Sequence, residues 1–73
     1  MNTITRRILA YWEAHPHAAD SAVGICRWWL GAAGTTATLD EVEQALEEMV
    51  SAQQARRATL ADGTTLYSRG PRV

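Results

Sequence analysis

The segment from Thr38 to Gln54, TLDEVEQALEEMVSAQQ, constrains the fold more than any other part of the chain. Its apolar residues Leu39, Val42, Leu46, Met49 and Val50 recur at the spacing of one helical stripe. Thr38 stands three residues before Glu41, the spacing at which a hydroxyl caps the N–H at the third helical position while that residue's carboxylate reaches back to the cap. The start of the helix is thereby fixed. At about 100° per residue, the side opposite the stripe carries Asp40, Glu41, Gln44, Glu47, Glu48 and Ser51, with Glu43 at its margin. An acidic outer face on a strongly amphipathic helix is what any function of this chain has to accommodate.

A chain of 73 residues makes one small domain. Domains of this size bury only roughly 60% of the surface of the unfolded chain, so the core has to be efficient. Three tryptophans and two tyrosines supply large apolar area per residue, which fits a compact three-helix unit. The lone cysteine, Cys26, excludes an intramolecular disulfide and any zinc or iron–sulfur site built from several thiolates of one chain. No apolar run approaches the ~18 residues of a membrane span, and the amino terminus lacks the charged-then-apolar pattern of a secretory signal. A soluble protein of the reducing cytoplasm is the expectation. The net charge of −1 gives no overall pull toward nucleic acid or anionic membrane. Charge is segregated instead: every basic residue is an arginine, with Arg6, Arg7 and Arg27 early, Arg56, Arg57, Arg69 and Arg72 late, and none between.

Along the chain, Asn2 or Thr3 caps a first helix that gathers Ile4, Ile8, Tyr11 and Trp12 on one side and ends near His15, because Pro16 disfavours helix in the residue before it. Asp20 or Ser21 caps a second helix, AVGICRWWL, whose Ala22, Ile25, Cys26, Trp29 and Ala33 share a face, with Val23 and Leu30 beside it. Trp28 and Trp29 diverge by about 100°, so Trp29 points inward and Trp28 toward the edge. Gly31-Ala-Ala-Gly-Thr-Thr-Ala is a turn. After Gln54 the period changes, and two short strands flank Asp62-Gly63, a hairpin signal. A two-residue loop would split Leu60 and Leu66 between opposite faces. A three-residue loop, Ala61-Asp62-Gly63, pairs Leu60 with Thr64 and Ala58 with Leu66; it is preferred because Ala58, Leu60 and Leu66 then share an inward face, leaving Arg57, Thr59, Thr65 and Tyr67 outward. The expected core is Ile4, Ile8, Trp12, Ile25, Trp29, Leu39, Val42, Leu46, Met49, Val50, Leu60 and Leu66.

This order of elements resembles the winged helix-turn-helix superfamily, of the small bacterial type. The second helix AVGICRWWL, the turn GAAGTTAT, the third helix LDEVEQALEEMV and the wing ARRATLADGTTLYSRG carry the resemblance. It implies a mainly α fold with a small β-hairpin, three helices plus a C-terminal wing, in a single domain over residues 1–70 with a flexible tail at 71–73. It also implies DNA binding, with the third helix in the major groove and the wing on phosphate. Carried onto this chain, the reading side chains are Asp40, Glu41, Gln44, Glu47 and Glu48, the wrong charge for contact with phosphates. Gln44 suits adenine and glutamate accepts from cytosine, but no cation flanks them. Only the wing, with Arg56, Arg57 and Arg69, is basic; these arginines either touch phosphate or pair with the third-helix carboxylates.

Winged helices also serve as protein-interaction modules, where the same charge is no obstacle. The expected function is therefore a non-enzymatic adaptor or regulatory module. Its contact surface is Trp28, Asp40, Glu41, Gln44, Glu47 and Glu48, and its partner is a protein, including a second copy in a homodimer. Trp28 also has a plainer reading, partial burial against the first helix or wing. The alternative is a DNA-binding transcriptional regulator working through Arg56, Arg57 and Arg69. His15, His17 and Asp20 straddle a proline and read as a solvated loop rather than a metal site. Cys26 reads as a small core residue. With no catalytic constellation or phosphate-binding glycine loop, neither enzyme activity, small-molecule substrate, cofactor nor membrane association is expected.

Overall fold

Helix α1 (Thr3–Ala14) begins where Asn2 accepts the Thr5 N–H at 2.8 Å and ends at His15, immediately before Pro16. The computed structural model describes residues 2–72. They form three helices and a three-stranded antiparallel sheet. The inward side of α1 is Thr5, Ile8 and Trp12, with Ile4 and Tyr11 only partly covered. The Trp12 indole N–H donates to the Ala18 carbonyl at 3.0 Å, and the next two residues are a short strand, β1 (Ala19–Asp20). The sequence pattern reads this segment as a solvated loop leading to a cap at Asp20 or Ser21, because two residues are too few to show a period of two.

Ser21 caps the second helix, α2, by accepting the Gly24 N–H at 3.1 Å. The helix opens as one α-turn at Ala22–Gly24 and continues as a π-helix over Ile25–Leu30. The Gly31 N–H reaches the Cys26 carbonyl at 3.2 Å, the i to i+5 bond of the wider helix. That widening turns each residue through less than 100°. Ile25, Trp29 and Leu30 are all buried, Cys26 is half-buried, and Ala33 lies exposed beyond the helix end. Trp29 packs edge-on to Trp12 at 5.4 Å and stacks on Tyr11 at 4.1 Å, joining α1 to α2.

Helix α3 (Leu39–Ser51) starts with the capping box that its sequence encodes. The Glu41 N–H donates to Thr38 Oγ1 at 3.2 Å, and the Thr38 N–H donates to Glu41 Oε1 at 2.9 Å. Val42, Ala45, Leu46 and Met49 are buried. Leu39, expected in the core, is 40% exposed, and Val50 is half-buried. Both lie at one rim of the stripe, and the buried arc is displaced toward Ala45. At the other end the Gln54 N–H donates to Met49 at 2.8 Å and the Gln53 N–H to Val50 at 3.0 Å, a Schellman ending. Its left-handed position, φ 63°, is filled by Gln53 where glycine is usual.

The hairpin follows as β2 (Ala55–Thr59) and β3 (Thr65–Arg69). Its register is the one that the three-residue loop dictates: Ala58 opposes Leu66, the Leu60 N–H donates to the Thr64 carbonyl, and Gly63 takes a φ of 91°. The faces are the reverse of those expected. Ala55 and Tyr67 enter the core, Ala58 and Leu60 are exposed, and Leu66 is half-buried. The turn at Gln53 and Gln54 delivers Ala55 into the interior, and strand alternation then carries Arg57 and its neighbour Tyr67 to the α3 side and Leu60 away from it. Strand β1 joins the far edge of β3, with Ala19 opposite Ser68 and Asp20 opposite Tyr67, so the order is β1-β3-β2.

The chain after β3, read as unanchored, is hydrogen-bonded as far as Arg72; Val73 is outside the described residues. The Gly70 N–H donates to Gln54 and the Arg72 N–H to Gln53, both at 3.0 Å, and Arg72 Nε donates to Gln53 Oε1 at 3.1 Å. A Cβ at position 70 would stand 2.4 Å from the Gln53 carbonyl, so only glycine permits this approach. Among the described residues, no helix is long and apolar enough to cross a membrane.

Position 53 gives a direct stability test. Gln53→Gly relieves the left-handed backbone and should raise the unfolding free energy by about 0.5–1 kcal/mol. Gln53→Val, β-branched at positive φ, should lower it; urea unfolding midpoints measure both.

Candidate functional site on the third helix

The outer face of α3 is held in place by the capping box at one end and the hairpin along its flank. Two of its carboxylates are occupied. Glu41 is committed to the Thr38 cap, and those hydrogen bonds hold its pKa below the ordinary value. Glu47 forms an ion pair through Oε1 with the Arg57 guanidinium and accepts the Tyr67 hydroxyl through Oε2 at 3.0 Å. Tyr67 is nearly buried, so its hydroxyl is a fixed donor; burial, and then the Glu47 hydrogen bond, push its pKa up. The hydrogen bond from Arg57, followed by that from Tyr67, lowers the pKa of Glu47. Arg57 is pushed up in turn by the same carboxylate.

Asp40, Gln44 and Glu48 are exposed, and among the described residues their side chains make no hydrogen bond or ion pair. Glu41, Gln44 and Glu48 border a shallow groove completed by Asn2, Ile4 and Ala45. A second groove runs from Glu41 past Arg7 to Thr35 and Thr36. Trp28 lines neither. It projects from α2, 68% exposed, on the same helix as exposed Val23 and Arg27. Neither groove brings Trp28 together with the α3 carboxylates.

The hairpin arginines also separate. Arg57 faces α3, opposite Tyr67; Arg56 is exposed on the other face, opposite Ser68; Arg69 is half-buried opposite Ala55. Tyr67 is the residue of this site that the sequence pattern placed outward. Its signal is its dual character, an apolar ring with one polar tip that seeks a partner when buried, and an acidic helix lies beside it.

Of the remaining candidates, His17 is exposed and the other three have local partners. His15 lies 4.6 Å from the Tyr11 ring, Asp20 accepts the Ser21 N–H at 2.7 Å, and the Cys26 thiol donates to Ala37 at 3.4 Å. Among the described residues, no group of three or more His, Cys, Asp or Glu side chains is placed to hold a metal ion. Comparison with known proteins gave no matching family model, no matching curated protein and no matching solved structure.

Among the described residues, Glu41, Glu47 and Asp62 have lowered pKa values in the fold, the last through the Thr64 N–H. In the window just below pH ~4, where free carboxylates begin to protonate, the unfolded chain binds more protons than the folded one, so stability falls as pH falls. The thermal midpoint should be flat between pH ~5 and pH ~9 and drop below pH ~4. Glu47→Gln should make that drop shallower.

Proposed function

We propose that the chain is a winged-helix module that works by protein–protein contact rather than by catalysis, its third helix meeting a basic surface on a partner. The hairpin that leaves α3 and packs back beside it supports the winged-helix reading. One observation carries the functional reading: on the outer face of α3 the cation supplied by the hairpin is already taken by Glu47, leaving Asp40 and Glu48 uncompensated. Such a face repels phosphate and attracts arginine or lysine. Trp28 offers a separate anchor, since an exposed tryptophan beside an arginine is typical of the residues that dominate binding energy. The DNA-binding alternative has support in Arg56, which is exposed and without a partner among the described residues.

The test is a salt series with two labelled ligands, an arginine-rich peptide and a generic DNA duplex. The peptide should bind at low salt, weaken as salt rises, and weaken further with Asp40→Asn and Glu48→Gln, while the duplex stays unbound. Duplex binding by the unaltered protein with a steep salt dependence would replace this reading with the regulator. Trp28→Ala should leave stability within about 0.5 kcal/mol; unfolding would show that Trp28 is structural. Sedimentation over a concentration series reports whether a second copy is itself the partner.

A further inference from the structure

The outer edge of β2 is open. The Leu60 N–H donates to the Thr64 carbonyl at 2.8 Å, and the Gly70 N–H donates to the Gln54 carbonyl at 3.0 Å. Hydrogen-bonded pairs alternate along an antiparallel ladder, so Arg56 and Ala58, which fall in step with Gln54 and Leu60, also turn their backbone groups toward β3. Arg57 and Thr59 turn theirs the other way. In the order β1-β3-β2 the second strand is outermost, so the N–H and C=O of Arg57 and Thr59 have no partner among the described residues. Every residue from Arg56 to Leu60 is exposed. A row of unpaired peptide groups on an accessible strand is a template for one kind of ligand, another extended polypeptide.

The side chains along this edge define what that polypeptide must carry. Arg57 and Thr59 lie on the face of the sheet toward α3, where Arg57 is already matched by Glu47. Arg56, Ala58 and Leu60 lie on the other face, so the sheet stands between Arg56 and the α3 carboxylates. Arg56 has no partner among the described residues. At every second residue that outer face presents a cation, a small residue and an apolar one. A strand laid antiparallel to β2 matches it with an acidic side chain opposite Arg56 and apolar ones opposite Ala58 and Leu60, and opposite charges placed across two strands stabilise the pair. A second copy of this chain does not supply that pattern. Two β2 strands paired about a two-fold axis centred on Arg57 set guanidinium against guanidinium. Centred on Ala58 they set Arg56 opposite Leu60, and centred on Thr59 each strand runs into the other's turn. An edge of five residues is also short for the ~800 Å² per partner that a stable dimer buries.

We infer that the free edge of β2 is a docking site for an extended segment of another protein, added as a fourth strand with a carboxylate on Arg56 and apolar side chains over Ala58 and Leu60. The inference goes beyond the third-helix reading and does not rest on it. That reading needs Asp40, Glu48 and a basic partner, whereas this one needs the β2 backbone and an acidic strand.

The experiment titrates isotope-labelled protein with short capped peptides alternating valine and threonine, one with glutamate and one with lysine at the place opposite Arg56, and follows the backbone amide shifts. The glutamate peptide should move the Arg57 and Thr59 amides and bind about two- to five-fold more tightly than the lysine peptide, the range of a cross-strand charge pair. Arg56→Glu should reverse that order. N-methylation of the glutamate peptide at the residues opposite Arg57 and Thr59 should abolish binding, while methylation at the alternate residues should not. Thr59→Pro removes an outward N–H and leaves the bonds to β3 in place; in protein shown folded by circular dichroism, it should abolish binding too. Equal binding of the two peptides would overturn the carboxylate on Arg56. Binding that survives methylation opposite Arg57 and Thr59, or no binding of either peptide, would overturn the added strand. Shifts of the Arg57 and Thr59 amides that follow protein concentration alone would give the edge to a second copy and overturn the inference.

Discussion

The fold depends on the position of Trp12. Its ring is fully buried, packs edge-on to Trp29 of α2, and its indole N–H is spent on the Ala18 carbonyl. One side chain thus fixes α1, the end of the loop that follows it and α2 relative to one another. Because the bonded carbonyl immediately precedes β1, the same contact aims Ala19 and Asp20 along β3. A small domain has little apolar area to distribute. Placing a tryptophan where three segments meet lets one residue serve all of them, and Tyr11 extends the arrangement by stacking on the outer side of Trp29.

Much of this was legible in the sequence where the signal is local. The Thr38 cap and the stop before Pro16 rest on a few neighbouring residues; the sequence also narrows the first cap to Asn2 or Thr3, of which the structure uses Asn2, and prefers the three-residue loop that places Gly63 at positive φ. What was not legible depends on partners distant in sequence. The hairpin register followed from its loop, but its inward face did not, because that is decided at Gln53 and Gln54, where the chain leaves α3 and commits Ala55 to the interior. Leu60 then falls outside despite being the most apolar residue of β2's end, and Tyr67 falls inside. The π-helix was hidden for a related reason: an assumed 100° rotation cannot report a helix that turns more slowly, and Leu30 was judged to lie beside the buried face rather than on it.

The acidic residues of α3 show how far a charge run can mislead when read as one patch. Asp40 and Glu41 sit in the first turn, where negative charge is favoured by the helix dipole. Glu41 serves the cap and Glu47 the hairpin, so two of the carboxylates are structural before any partner is considered. The surface available for recognition is smaller than the composition suggests, and it is bordered by the amino-terminal end of α1 rather than by Trp28.

The place of β1 in the sheet bears on the order in which the molecule assembles. Ala19 finds its partner in Ser68, about two thirds of the chain's length away, while the contacts among the three helices and the β2–β3 hairpin form between nearer segments. Closing so long a loop costs more entropy than closing a short one, and it lengthens the search. The three helices can therefore collect around Trp12 first, with β1 waiting as an unpaired edge until β3 arrives. The sheet is the latch of this domain: it shuts only when β3 has come to lie between β1 and β2.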